Sequence, residues 1–158
     1  MEGMADVIDK AVIGRKSTSV PMTIERGRLG LFSRLLGFPA DGPYRDIAAA
    51  RAAGHPDLPV PPTFLAGLET ETEEIYRTLD AIGVDLEAVL NGEQSFTYHR
   101  MLHAGDEIVF TTRIADVYQR DDGRLEFLVR ETAVTRGDEL VADLRNVIVV
   151  VNREEGPA

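Results

Sequence analysis

One amphipathic stretch, Val60 to Ile82, precedes a second half that alternates as strands do, and this contrast restricts the chain to a helix packed against a sheet. Phe64, Leu65, Leu68, Thr72, Ile75, Leu79 and Ile82 recur at steps of three and four and line one face of a 3.6-residue period. Pro61 and Pro62 suit a helix entrance, where a missing N–H costs nothing. Glu69, Glu71, Glu73 and Glu74 avoid the apolar stripe, which predicts a solvated face. The reading is one long helix, buried along one side.

Before it, Ile13 to Ile24 is rich in β-branched residues and predicts an extended segment, held by Pro21 to an edge. Glu25 to Leu36 predicts a short helix ending at Gly37, Phe38 to Tyr44 a turn, and Asp46 to Ala53 a second short helix closed by Gly54. After the long helix, Asp85 to Gly92 reads as a connector. From Glu93 the period becomes two, with Gln94, Phe96 and Tyr98 opposite Ser95, Thr97 and His99. Ile108 to Tyr118, Leu125 to Thr135 and Leu140 to Val151 read as long strands, joined by turns at Asp121-Asp122-Gly123 and Gly137-Asp138. The expectation is an α+β domain over residues 13–151, with a frayed start at 1–12 and a tail at 152–158. A long central helix wrapped by a bent antiparallel sheet, with two short helices in front, is the hot-dog plan.

Composition narrows function by exclusion. A net charge of −10 argues against general nucleic-acid binding, which needs surplus Lys and Arg. No apolar run approaches the roughly 20 residues of a membrane helix, and the N-terminus lacks a signal-peptide layout, so a cytoplasmic protein is expected. Without cysteine, disulfides and thiolate metal sites are impossible. No cofactor or metal is expected. Five arginines, 26, 28, 34, 45 and 51, form a local basic surplus that an anionic ligand would find.

Three blocks carry a resemblance: Val60-Pro61-Pro62-Thr63-Phe64; Asn91-Gly92-Glu93-Gln94 with Tyr98 to Leu102 and Ala104-Gly105-Asp106; and Leu140 to Val150. In order and spacing they resemble the N-terminal half of MaoC-type dehydratases and (R)-specific enoyl-CoA hydratases, including the HadA-type subunit of mycobacterial hydroxyacyl-thioester dehydratases. The likeness runs from about Ile13 to Val151. It departs at Asn91, where the family usually has His, and at Met101, where it usually has Pro.

The resemblance implies a double hot dog: two units side by side around an acyl-thioester channel. One unit carries a catalytic Asp and His, five residues apart, before the central helix. The active pattern ends in Asp-x-Asn-Pro-x-His-x-Asp, and here the chain reads Pro39-Ala40-Asp41-Gly42-Pro43-Tyr44-Arg45-Asp46. With Asp46 as the shared last residue, Pro39 takes the Asp position and Tyr44 the His position. An ordinary tyrosine titrates near ~10, and proline has no side-chain chemistry.

Other residues are candidates for the chemistry. Asp41 lies in the same loop, two residues from the vacant Asp position, and His55 lies just before the helix. Glu69 or Glu73 would serve a thioesterase-type reaction. His99 reads as a surface residue and His103 as part of a turn, with no metal or triad spacing.

For binding, the candidates are Tyr44, Pro62, Thr63 and Phe64, with Arg28 and Arg34 for the anionic end of the carrier; charge reversal at both is expected to weaken acyl-CoA binding. The N–H groups of Thr63 and Phe64 are expected to be free donors at the helix start, suited to a thioester oxygen. The sequence thus predicts a non-catalytic, acyl-chain-binding half of an (R)-specific 3-hydroxyacyl-thioester dehydratase or enoyl-CoA hydratase. It would pair with a catalytic MaoC-type subunit or with itself. The alternatives are a homodimeric acyl-CoA-binding protein without turnover, and an active homodimeric hydratase or thioesterase.

Overall fold

The computed structural model describes residues 8–152. Its frame is one antiparallel sheet in the order β1-β3-β4-β5-β2: β1 (Val20–Thr23), β2 (Val89–Tyr98), β3 (Glu107–Arg120), β4 (Leu125–Arg136) and β5 (Glu139–Val151). The long hairpins form because β-branched residues alternate with polar ones, and because Asp121, Asp122 and Gly123 all take positive φ at the tight turn. β1, which carries Pro21, is short and lies at one edge, as the proline requires. Among the described residues no helix is long and apolar enough to cross a membrane.

The two short helices stand where the sequence places them: α1 (Arg26–Leu35) and α2 (Ile47–Ala52), the latter capped by Asp46, whose carboxylate accepts from Ala49 N at 2.7 Å. The expected long helix is two. α3 (Phe64–Thr70) and α4 (Glu74–Ala81) are separated at residues 71–73, where Glu73 adopts φ 60°. Thr72 makes the break: its hydroxyl donates to Glu69 O at 2.7 Å and accepts from Glu74 N at 3.4 Å, supplying one of the donors α4 leaves open. The apolar face survives the break, with Phe64, Leu65, Leu68 and Leu79 buried and Ile75 and Ile82 packed against the core. The helical pair lies on the sheet, and the architecture is the hot-dog plan with a divided central helix.

Two further boundaries move. β2 begins at Val89, inside the expected connector, and its ladder to β5 is bulged between Asn91 and Glu93. Gly92 is the extra residue, and a Cβ there would sit 2.7 Å from Val149 Cγ2. The bulge resets the alternation, which hides the strand's first half from a period-two search. At the N-terminal end, Ile8 is buried and Lys10–Val12 form a turn of 3₁₀ helix, so ordered packing starts before residue 13. Residues 1–7 and 153–158, most of the expected frayed start and tail, lie outside the described residues.

The core is divided. One apolar cluster gathers α1, α2, α3 and one end of the sheet, including Leu29, Leu65, Leu68, Phe110, Val134 and Leu144. The other gathers α4 and the opposite end, including Leu79, Ile114, Val117, Leu128 and Ile148. What lies between them is polar.

Candidate functional site

The loop that replaces the dehydratase active-site segment is a folded turn with its own bonds. Gly42 O accepts from the backbone N–H groups of Arg45 and Asp46, and Arg45 Nη1 donates to Phe38 O at 3.0 Å. Tyr44 stacks on Phe38 with ring centroids 4.5 Å apart. Pro39 and Asp41 are exposed. No polar side chain of this loop is bonded to the helical pair among the described residues.

His55 and His103, unrelated in the sequence reading, meet: His55 Nδ1 lies 3.2 Å from His103 Nε2. Burial pushes the His103 imidazole below its ordinary pKa, against the opposing pull of Asp106. Among the described residues no group of His, Asp and Glu has the arrangement of a metal site. His99 is exposed, with Nε2 2.7 Å from Asp143 Oδ2.

The helix start differs from expectation. Thr63 N donates to the Tyr98 hydroxyl at 3.2 Å and Phe64 N to Pro61 O at 3.3 Å, so neither N–H is a free donor. Burial raises the Tyr98 phenol above its ordinary pKa. Pro62 and Thr63 are exposed while Phe64 is buried, packed edge-on to Phe32 at 5.3 Å. Two of the five arginines of the basic surplus are neutralised by carboxylates. Arg26 forks onto Asp57, whose carboxyl it lowers to about 2, and Arg28 pairs with Glu25 and Glu71. Arg34 is exposed and has no side-chain partner among the described residues.

The densest buried polar group lies elsewhere, on the inward faces of the strands. Glu69, expected on a solvated face, is 7% exposed. Its Oε1 accepts from Thr132 Oγ1 at 2.7 Å, Arg130 Nη2 at 3.1 Å and Thr112 Oγ1 at 3.2 Å. Arg130, 4% exposed, also donates from Nη1 to Asn146 Oδ1 at 3.3 Å, and Asn146 Nδ2 donates to Asn91 Oδ1 at 2.9 Å and to Glu93 O at 3.1 Å. A polar row thus crosses β3, β4, β5 and β2 over two adjacent registers, Thr112 opposite Thr132 and Arg130 opposite Asn146, between the two apolar clusters. Burial pushes the Arg130 guanidinium down, while Glu69 opposes that shift by its charge and its hydrogen bond.

A cavity of about 450 Å³ opens between the helical pair and β2–β5. Its walls include Ala66, Gly67, Ile75, Leu79, Val89 and Ile148, and the polar row, through Glu69, Arg130, Asn146, Asn91 and Gln94, forms part of its lining. Tyr76, Leu86 and Leu90, each about half exposed, mark its outer end. That size falls within the ~300–1,000 Å³ of ordinary ligand sites. On the far side of Arg130 a smaller hollow of about 270 Å³ is lined by Arg15, Lys16, Arg77 and Arg113, a cationic group that sequence reading missed.

A divided helix on a five-stranded antiparallel sheet, with a cavity beside it, defines a hot-dog protein. The chain belongs to the family described as the FAS1-like dehydratase domain region, whose model matches residues 11–144. It is 40% identical over 141 residues to a UPF0336 protein of Parafrankia sp., covering 86% of this chain and 89% of that protein. In fold it is similar to the HadBC (3R-hydroxyacyl-ACP dehydratase) complex of Mycobacterium tuberculosis, with a TM-score of 0.74, 21% identity and coverage of 87% and 96%. The ChsH1-ChsH2 complex of the same organism is also similar, with a TM-score of 0.66, 22% identity and coverage of 98% and 97%.

Proposed function

We propose that this chain is the non-catalytic, acyl-chain-binding half of an (R)-specific 3-hydroxyacyl-thioester dehydratase or enoyl-CoA hydratase. The reading rests on two features: a largely apolar cavity inside the chain, and a loop, outside the cavity's lining, in which Pro39 and Tyr44 stand at the positions that the resemblance gives to the catalytic Asp and His. Dehydration needs a base for the α-proton and an acid for the leaving hydroxide. Of the loop's two carboxylates, Asp41 is exposed and Asp46 caps α2, so both groups come from a second subunit. His55 is engaged with His103.

The partner is another hot-dog chain of MaoC type, docked along β2. The two sheet edges support this. β1 is four residues long and carries Pro21, whereas β2 runs ten residues with its outer side unpaired and with Leu90 and Tyr98 exposed. Pairing two such edges extends the sheet and brings the partner beside the cavity's outer end. The similar structures named above include complexes of two different subunits. The carrier's anionic end would meet Arg34 and the uncompensated part of the basic surplus.

The alternative is a homodimer that holds acyl-CoA without turnover, in a cavity walled by apolar residues such as Ala66, Leu79 and Ile148. Hydration of crotonyl-CoA separates the two. The proposal expects no turnover by the purified chain and turnover once a MaoC-type subunit bearing the Asp and His is added. Turnover by the chain alone would overturn it. No turnover with any such subunit, with acyl-CoA still bound, favours the homodimer.

A further inference from the structure

Across α4 from the cavity, the hollow of about 270 Å³ has walls of its own. Arg77, Thr78 and Ala81 line it from α4, whereas Ile75, Tyr76 and Leu79 of the same helix line the cavity, and Arg130 borders both. The segment before β1 is held there by backbone bonds to β3. Gly14 N donates to Ile114 O at 2.8 Å, Ile114 N to Arg15 O at 2.9 Å and Ser17 N to Thr112 O at 2.8 Å. This short ladder sets Arg15 and Lys16 against the hollow. Five cations line it, Arg15, Lys16, Arg77, Arg113 and Arg130, against one carboxylate, Glu74. Three of them are answered: Arg77 by Glu73 and Glu74, Arg113 by Glu131, and Arg130 by Glu69. Arg15 and Lys16 are exposed and have no side-chain partner among the described residues. Two unanswered positive charges thus meet at one concavity, in a chain whose net charge is −10.

We propose that this hollow binds a small free anion, phosphate or diphosphate, through Arg15 and Lys16. A phosphate group carries about −1.5 to −2 at pH 7, which matches the two open charges, whereas a monocarboxylate matches only one. A guanidinium forks onto two phosphate oxygens, and an ammonium meets another as a point charge. Hydroxyl donors stand beside them. Ser17, Thr18 and Thr78 line the hollow, and Ser17 Oγ, which accepts from Thr112 N at 3.3 Å, keeps its own O–H to donate. The space falls just below the ~300–1,000 Å³ of sites for larger ligands, which favours a bare anion over a nucleotide. α4 and Arg130 stand between the hollow and the acyl cavity, so this anion is a second ligand and not part of an acyl carrier. The site therefore stands or falls independently of the reading under Proposed function.

The test is calorimetric titration of the full chain, in low-salt buffer, with inorganic phosphate, diphosphate, adenosine 3′,5′-bisphosphate and acetate. The wild type is expected to bind diphosphate most tightly, phosphate less so and acetate not at all. Replacing both open cations, Arg15→Gln with Lys16→Gln, should weaken diphosphate about tenfold or more. The same change of net charge made away from the hollow, Arg100→Gln with Arg124→Gln, should leave diphosphate affinity within about twofold of the wild type. No binding of diphosphate by the wild type, a measurement that needs no variant, overturns the proposal. Unchanged affinity in the folded Arg15→Gln, Lys16→Gln chain, or an equal loss in the control pair, places the anion elsewhere and also overturns it. Acetate bound as tightly as phosphate reduces the hollow to unspecific charge attraction and overturns it too. Adenosine 3′,5′-bisphosphate bound more tightly than diphosphate overturns the free anion in favour of a phosphate carried on a nucleotide.

Discussion

The loop from Phe38 to Asp46 and the row that crosses the sheet at Glu69 hold polar groups in opposite ways. In the loop, side chains serve the backbone, Arg45 donating to Phe38 O and Asp46 capping α2, while Tyr44 is occupied by stacking on Phe38 and the one unattached carboxylate, Asp41, faces solvent. In the row, Glu69, Arg130, Thr112, Thr132 and Asn146 are all less than a tenth exposed and bonded to one another. Catalytic acids and bases need partial burial and oriented partners to depart from their ordinary behaviour. The loop supplies no oriented carboxylate–base pair, whereas the row supplies burial and oriented partners together, among the residues that line the cavity. Buried polarity in this chain therefore sits between its two apolar clusters, and the loop serves turn geometry.

The difference predicts unequal costs. Glu69→Ala or Arg130→Ala strands a buried charge and is expected to cost about 3–5 kcal/mol, read from urea unfolding. Replacing both together, Glu69→Leu with Arg130→Met, removes the stranded charge and should recover most of that loss. A double variant as unstable as either single one would show that the row braces the fold by more than this pair. In the loop, Tyr44→Ala gives up one stacked pair, worth about 0.5–1.5 kcal/mol. A loss there equal to that of Glu69→Ala would erase the comparison.

A smaller effect is set by pH. The folded His103 has its pKa lowered by burial, so the unfolded chain binds the proton more readily. Stability from this group is fully present above the unfolded value near ~6.5 and is lost as pH falls through the folded value. Unfolding midpoints should therefore drop on acidification below neutrality, and His103→Gln should flatten that limb. An unchanged slope in the variant would move the effect to other groups, Asp57 among them, whose own loss comes only as pH falls toward about 2.

The strands, their turns and the edge position of β1 were legible because alternation and turn residues act locally. The family relationship was legible in short blocks that retain their order. The divided helix was not: helical periodicity continues across residues 71–73, and only the Thr72 hydroxyl, bonding backward and forward, discloses the break. Glu69 was read as solvated because four glutamates fall within six residues there, although its spacing from Leu65 and Thr72 sets it beside the apolar stripe. Its partners did leave a signal. Thr112 between Phe110 and Ile114, Arg130 and Thr132 between Leu128 and Val134, and Asn146 between Leu144 and Ile148 each put a polar residue on an apolar parity. Three hairpin strands breaking their pattern at adjacent registers mark a buried polar row.

The claim beneath all of this is that the chain shapes an acyl channel and performs no chemistry of its own. Gly67 lines the cavity, and a Cβ added there meets nothing within 4 Å, so Gly67→Phe can reach into the space without crowding the backbone. In the enzyme reconstituted with a MaoC-type subunit, kcat/KM for 2-octenoyl-CoA should fall about tenfold or more in this variant while that for crotonyl-CoA holds, because only the longer chain enters the narrowed space. An equal fall for both substrates, or no fall for either, would contradict it.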